Sequence, residues 1–274
     1  MPAGSIFDTK GSAIFSSDVR AEGDPADTLI GLVALLNSKF AQVLIDTYVG
    51  AAENSSRSYG EGVVSRLPVD LPGVLGRMNI ASSRNVLLSL SKLAQYRETS
   101  QYFVAPAPLG VFDTIEDAWN GLNAERSVSQ ALVSSLLEEI DSLIADHYLF
   151  THAEAQFVEK EICRYGEIEP ACLRVPTLDS FSSYIVSYLI GCVFSRWSLD
   201  YSKGSKDWPG ASDPFARLPV IPPGALEGRL SDCEIKTTAD LALGVSKLVH
   251  EIWGGAFGCY RGGAAFKAWL KLFR

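Results

Sequence analysis

"LLNSKF", Leu35 to Phe40, lies in the middle of the most apolar helical stretch of this chain, "AEGDPADTLIGLVALLNSKFAQVLIDTYVG" (21–50). How it is read decides how the first third of the fold is built. Asn and Ser each cost a helix interior roughly half a kcal/mol relative to Ala, so their pairing here demands a reason. The flanks are well punctuated. Asp24 suits an N-cap, Pro25 the first helical position, Asp27 the positive helix end and Gly50 a C-terminal stop. At steps of about 100° per residue, Leu29, Val33, Leu36, Phe40, Val43 and Leu44 share one face, with Ser38 and Gln42 opposite. Asn37 falls at the edge of the apolar face. The expectation is one helix in which Ser38 is solvated and a partly buried Asn37 ties down backbone of the loop 51–62.

Upstream, "GSIFDTKGSAIFSSDV" (4–19) alternates apolar and polar residues around Gly and Ser, as a short hairpin or a pair of strands does. Downstream, the Gly/Ser-rich loop "AAENSSRSYGEG" (51–62) leads to a short expected strand, "VVSRLPV" (63–69), stopped by Pro68 and Pro72. A helix follows in "NIASSRNVLLSLSKLAQYRETSQYF" (79–103), broken by "APAPLG". From Thr114 the chain is acidic and helical. Two helices meet near "YLFTHAE" (148–154), where Thr151 suits an N-cap and Glu154 closes a capping box. An apolar helix in 180–200, a Pro-rich stretch in 214–228, a further helix in 237–254 and a basic amphipathic tail complete the chain. The predicted class is α+β. It comprises a small mixed sheet with packed helices in residues 1–110, an acidic helical spacer in 111–170 and a mainly helical region in 171–274.

The chain of 274 residues carries a net charge of −8, which naively opposes nucleic-acid binding. The acidity is concentrated: residues 111–180 hold 4 Lys/Arg against 14 Asp/Glu, while 1–110 stand at −1 and 181–274 at +3. Either flank is therefore free to face a polyanion. The five cysteines include no C-x-x-C pair, against a disulfide framework or zinc knuckle, and read as small hydrophobes. Neither a signal layout nor a long apolar run is present, so the expectation is a cytoplasmic protein without membrane contact.

Catalytic chemistry finds little purchase. The three histidines, His147, His152 and His250, have no G-x-S-x-G serine beside them, and His147 and His152 stand five apart, off the metal-ligand spacing of a helix face. "GGAFG" (254–258) follows a helix end rather than a strand and reads as a break, not a cofactor loop. No catalytic, cofactor or metal residue is assigned. The loop 54–66 does combine Arg57, Ser58, Tyr59 and Arg66, and Arg and hydroxyl groups on a Gly-bounded turn are apt to contact bases or phosphates.

The order of segments is more informative than any one of them. "IFDTKGSAIF", "LIGLVALLNSKFAQVLID", "YGEGVVSRLPVDLP" and the helix ending "LAQYRETSQYF" resemble the specificity region of large adenine-specific DNA methyltransferases. These are the single-chain restriction-modification type and the related BREX phage-defence methylases. "LLEEIDSLIADHYLFTHAE" is similar to that family's helix running from "EEID" to "YGLT". "SYLIGCVFSRWSLD" and "DPFARLPVIPPG" resemble its later "SYLVGC…GRW" and "LPV.PPG" stretches. This chain lacks the family's catalytic tetrapeptide of the "NPPY" kind, and "YLF" stands where the usual turn glycine belongs. The closing basic tail is shortened to "FKAWLKLFR".

The resemblance implies the recognition and C-terminal helical part of such an enzyme, whether a subunit, a split product or a remnant. It would bind duplex DNA so that a catalytic chain can flip an adenine. S-adenosylmethionine is then expected only in that partner. Candidate contacts are Arg57, Ser58, Tyr59 and Arg66, with Lys39 or Lys10 reaching phosphate. The alternative is a protein-interaction or regulatory remnant that binds other defence-system proteins and no DNA.

Overall fold

Where helices are punctuated by caps, the computed structural model follows the local signals closely. It describes residues 24–49, 65–68, 70–165, 172–213, 215–226 and 238–253. The helices are α1 (Pro25–Leu36), α2 (Lys39–Val49), α3 (Leu71–Leu75), α4 (Ile80–Ala94), α5 (Ile115–His147), α6 (His152–Tyr165), α7 (Leu178–Val193), α8 (Asp200–Lys203) and α9 (Thr238–Trp253), with a 3₁₀ turn at Leu109–Val111. Asp24 caps α1 by accepting from the Ala26 amide, with Pro25 behind it. The capping box closes as expected: Glu154 accepts from the Thr151 amide at 2.8 Å, and Thr151 Oγ1 accepts from the Glu154 amide at 3.3 Å.

The fold class is not α+β. The described residues are 65% helical and contain no β-strand, leaving only an isolated antiparallel bridge between Trp197 and Ala225. The first expected hairpin, 4–19, lies outside the described residues. Of the second expected strand, residues 65–68 form a turn and an irregular stretch. Its polar backbone finds a side chain instead of a neighbouring strand. The Tyr148 hydroxyl donates to the Pro68 carbonyl at 3.0 Å and accepts from the Asp70 amide at 2.8 Å. One phenol thereby satisfies the two groups that would otherwise need a ladder.

"LLNSKF" is a junction, not a helix interior. α1 ends at Leu36, α2 begins at Lys39, and the two are bent by 68°. Ser38 is fully buried and its Oγ accepts from the Ala41 amide at 3.1 Å, capping α2. Asn37 is exposed, and its amide donates to the Val33 carbonyl at 2.8 Å, closing the end of α1. The burial expected of these two residues is therefore reversed. The two-residue break resets the helical phase, so a single projection through 24–50 does not apply. Val33 is 39% exposed, whereas Ile30, Leu35, Ala41 and Ile45 are buried. α1 is apolar on nearly every side, which leaves a projection little contrast to read.

The chain divides into two compact units. Unit 1 comprises 1–88, 130–169 and 214–217; unit 2 comprises 89–129, 170–213 and 218–274. In unit 1, α2 packs on α6 and α1 on α2 and α3. The Phe40 ring stacks on Tyr148 at 5.8 Å and meets Phe150 at 5.2 Å. Asp141, from α5, accepts from the Lys39 amide at 2.9 Å and so adds a tertiary cap to α2. In unit 2, α7 packs against α9 around Phe103, Phe181, Ile185, Tyr188, Leu189, Trp197 and Val245. Among the described residues no single helix is long and apolar enough to cross a membrane.

Burial pushes the Asp141 carboxyl up from its usual 3.8 to about 6, against the lowering pull of the Lys39 amide and ammonium. Between these values the folded chain holds a proton that the unfolded chain has lost. Stability from this group is therefore present below about pH 4 and is lost as pH rises to about 6. In urea titrations, the wild type should lose on the order of 2 kcal/mol relative to Asp141→Asn between pH 4 and pH 7.

Candidate functional site

Of the residues singled out from sequence, Lys10, Arg57, Ser58 and Tyr59 lie outside the described residues. Arg66 is exposed in the turn that precedes α3. Lys39 opens α2 and its ammonium is engaged by Glu159 at 2.9 Å. His147 bonds Asp70 at 3.1 Å and His152 bonds Gln156 at 2.9 Å. Among the described residues no group of three or more His, Cys, Asp or Glu side chains is placed to hold a metal.

Polar side chains converge instead in unit 2, around a residue that sequence reasoning did not single out. Glu98 is the one acidic residue between Asp70 and Asp113, which was a signal available in the sequence. It accepts from the Trp197 indole at 3.2 Å and the Ser187 hydroxyl at 3.1 Å, and pairs with Arg196 at 3.4 Å. Arg196 also lies over the Trp197 ring, 4.5 Å from its centroid. Just past Glu98, Phe103 meets the edges of Trp197 at 4.7 Å and of Tyr188 at 6.1 Å.

The Pro-rich stretch joins through backbone. The Gly224 amide donates to the Phe103 carbonyl at 2.9 Å, and the Ser198 amide donates to the Gly224 carbonyl at 2.8 Å. The "ETS", "SRWSLD" and "PPG" strings are thus three sides of one knot.

Beside the knot opens a cleft of about 510 Å³, lined among others by Tyr96, Arg97, Arg126, Arg174, Phe181 and Tyr184. Arg126 is only 7% exposed. Its Nε donates to the Cys172 carbonyl at 3.3 Å and its Nη1 to Asn123 at 3.2 Å. Burial lowers its pKa from the ordinary value, and the neighbouring Arg97 charge acts in the same direction. The nearest acid, Glu125, is held by Lys92 and by the Tyr96 hydroxyl at 2.7 Å. Burial raises the Cys172 thiol and takes the Cys192 thiol to about 12, so neither is poised as a nucleophile.

Comparison with protein-family models, with curated proteins and with solved structures returns no match. The functional reading therefore rests on the residues themselves.

Close approach makes the knot intolerant at one glycine. A Cβ on Gly224 would stand 2.0 Å from the Val104 carbonyl oxygen, whereas one on Gly210 would meet nothing within 4 Å. Gly224→Ala should therefore cost about 2–3 kcal/mol in denaturant unfolding, with Gly210→Ala as a control that stays within about 0.5 kcal/mol.

Proposed function

We propose that this chain is the non-catalytic DNA-recognition part of an adenine-specific DNA methyltransferase system, of restriction-modification or phage-defence type. It would bind duplex DNA for a catalytic partner that carries S-adenosylmethionine. The observation that supports this reading is the backbone at two missing glycines. Among the described residues only Leu149 and Ser195 are non-glycines with positive φ, at 53° and 57°. Leu149 belongs to "YLFT", where the resembling family reads "YGLT". Ser195 belongs to "SRW", where that family reads "GRW".

Both residues sit at the same step of the same helix-ending motif. After α5, the Phe150 amide bonds the Ala145 carbonyl and the Leu149 amide bonds that of Asp146. After α7, the Arg196 amide bonds Gly191 and the Ser195 amide bonds Cys192. This is the Schellman pattern, whose left-handed residue is usually glycine. Two retained glycines fit equally well. A Cβ on Gly191, within "SYLIGC", would lie 2.3 Å from the Trp197 ring, and Gly224 ends "PPG" against Val104. A likeness of short strings arising by chance has no reason to put glycine where the backbone calls for it four times.

On this reading Arg57, Ser58, Tyr59 and Arg66 face the duplex and Lys10 reaches phosphate. Lys39 is the weakest candidate, because Glu159 already occupies its ammonium. A second reading, protein interaction without DNA binding, is favoured by one observation. The acidic helices of unit 1 expose Glu138, Glu139 and Asp146 as well as Leu132 and Phe157, side chains that repel phosphate and offer apolar contact.

Binding of the full chain to duplex DNA at varied salt separates the two. DNA recognition predicts affinity that falls as salt rises, with Arg57→Ala and Arg66→Ala each reducing the steepness by about one counterion. Absence of binding at low salt, even with the catalytic partner added, would overturn the reading. The glycine observation has its own check. Leu149→Gly and Ser195→Gly should each raise the unfolding free energy by about 0.5–1 kcal/mol, as relief of left-handed strain outweighs the added freedom of the unfolded chain.

A further inference from the structure

We infer that the unit 2 cleft is a nucleotide site: it takes a phosphate on its arginines and a base against its aromatic walls. The inference does not rest on duplex recognition, and its test uses no duplex. The cleft, at about 510 Å³, has the size of a small-molecule site. Tyr96 and Tyr184 line it with ring surface in front of the buried Phe181, and Thr99 and Ser187 add hydroxyl groups. Planar aromatic walls with a few polar groups accept a flat heterocycle of any sequence identity.

Charge decides what accompanies the ring. Arg97, Arg126 and Arg174 all line the cleft, against a single carboxylate, Glu98. That carboxylate is already committed to Trp197, Ser187 and Arg196. Among the described residues neither Arg97 nor Arg174 has an ion-pair partner, and both side chains are exposed at the cleft. Arg126 is the more telling group. It is 93% buried by the complement of its 7% exposure, and it uses Nε and Nη1 for a carbonyl and an amide oxygen. Among the described residues Nη2 has no hydrogen-bond partner.

A guanidinium largely withdrawn from water, with its Nη2 still reached from the cleft, carries a desolvation cost that an arriving anion would offset. Guanidinium forks match phosphate oxygens in pairs. Three such groups, with the one lining acid already paired to Arg196, leave several positive charges unbalanced, which suits the nearly dianionic terminal phosphate of a nucleotide. A carboxylate-bearing ligand would balance only one of them.

The ligand chemistry has two sources, a free nucleoside monophosphate or a nucleotide unit within a single strand. Isothermal titration of the full chain with dAMP, deoxyadenosine, inorganic phosphate and a single-stranded hexamer of deoxyadenylate distinguishes them. The expected result is saturable dAMP binding, with deoxyadenosine and inorganic phosphate each at least tenfold weaker. Arg97→Ala and Arg174→Ala, both exposed and away from the core, should each weaken dAMP about tenfold without changing the circular dichroism spectrum. Arg126→Lys, which keeps the charge but loses the fork, should weaken it as well. Hexamer binding tighter than dAMP and sensitive to the same substitutions assigns the site to a strand, whereas preference for dAMP assigns it to a free nucleotide. No saturation by either nucleotide, inorganic phosphate binding as well as dAMP, or affinity untouched by Arg97→Ala and Arg174→Ala would overturn the inference.

Discussion

The Glu98 carboxylate holds unit 2 together across long stretches of chain, reaching Ser187 and Trp197, 89 and 99 residues further on. Its position is set by the chain reversal after α4, and its partners by the reversal after α7. Each bond to an ionised acceptor is stronger than a neutral one, and the buried Trp197 indole is a donor that burial would otherwise leave wanting. Around this tie the apolar groups close ranks. Phe103 fills the angle between Trp197 and Tyr188, and Tyr188 in turn donates its hydroxyl to the Ser198 carbonyl at 2.6 Å. Burial drives that phenol's pKa far upward, so it stays protonated as a fixed donor. The cleft with its three arginines is a by-product of the same closure, since its floor includes Phe103, Phe181 and Tyr188.

Unit 1 solves a comparable problem with aromatic and capping groups. Tyr148 terminates α5, stacks on Phe40 and satisfies backbone on both sides of residue 69. Asp141 reaches from α5 to the start of α2, where Ser38 already caps from within. Two caps at one helix start explain how a sharp bend survives in an apolar segment. The unpaired amides at the start of α2 are met by one buried hydroxyl and one carboxylate, so the break leaves few orphans.

Much of the helical content was legible because caps and stops act over three or four residues. Asp24 with Pro25, and Thr151 with Glu154, fulfil the roles read from their spacing. The meeting of two acidic helices near 148–154 was legible for the same reason. Expected strands fared differently. Alternation of apolar and polar residues in "VVSRLPV" is compatible with a strand, but a strand needs a neighbour, and at Pro68 and Asp70 a distant phenol supplies the bonds instead. The burial of Asn37 and Ser38 was misread because a projection assumes one unbroken helix. The DNA-contact candidates were chosen by residue type, and of those described, Lys39 is already paired while Arg66 stands exposed. Arg126 and Arg174 carried no local pattern, and Glu98 only its isolation from other acids; their meaning comes from what folds beside them.

By itself, the sequence determined the helix starts that carry side-chain caps, at Asp24 and Thr151, and that the middle of the chain is acidic. It also held the clue of one absent turn glycine at "YLF", though not the φ values that make that absence, and the serine of "SRW", matter. Tertiary structure alone decided that α1 and α2 bend apart at Ser38, that Glu98 gathers three distant strings, and that three arginines share one cleft. The physical reason is range. Capping and backbone sterics are settled within a helical turn, whereas burial, desolvation and ion pairing depend on residues that only folding brings within a few ångströms.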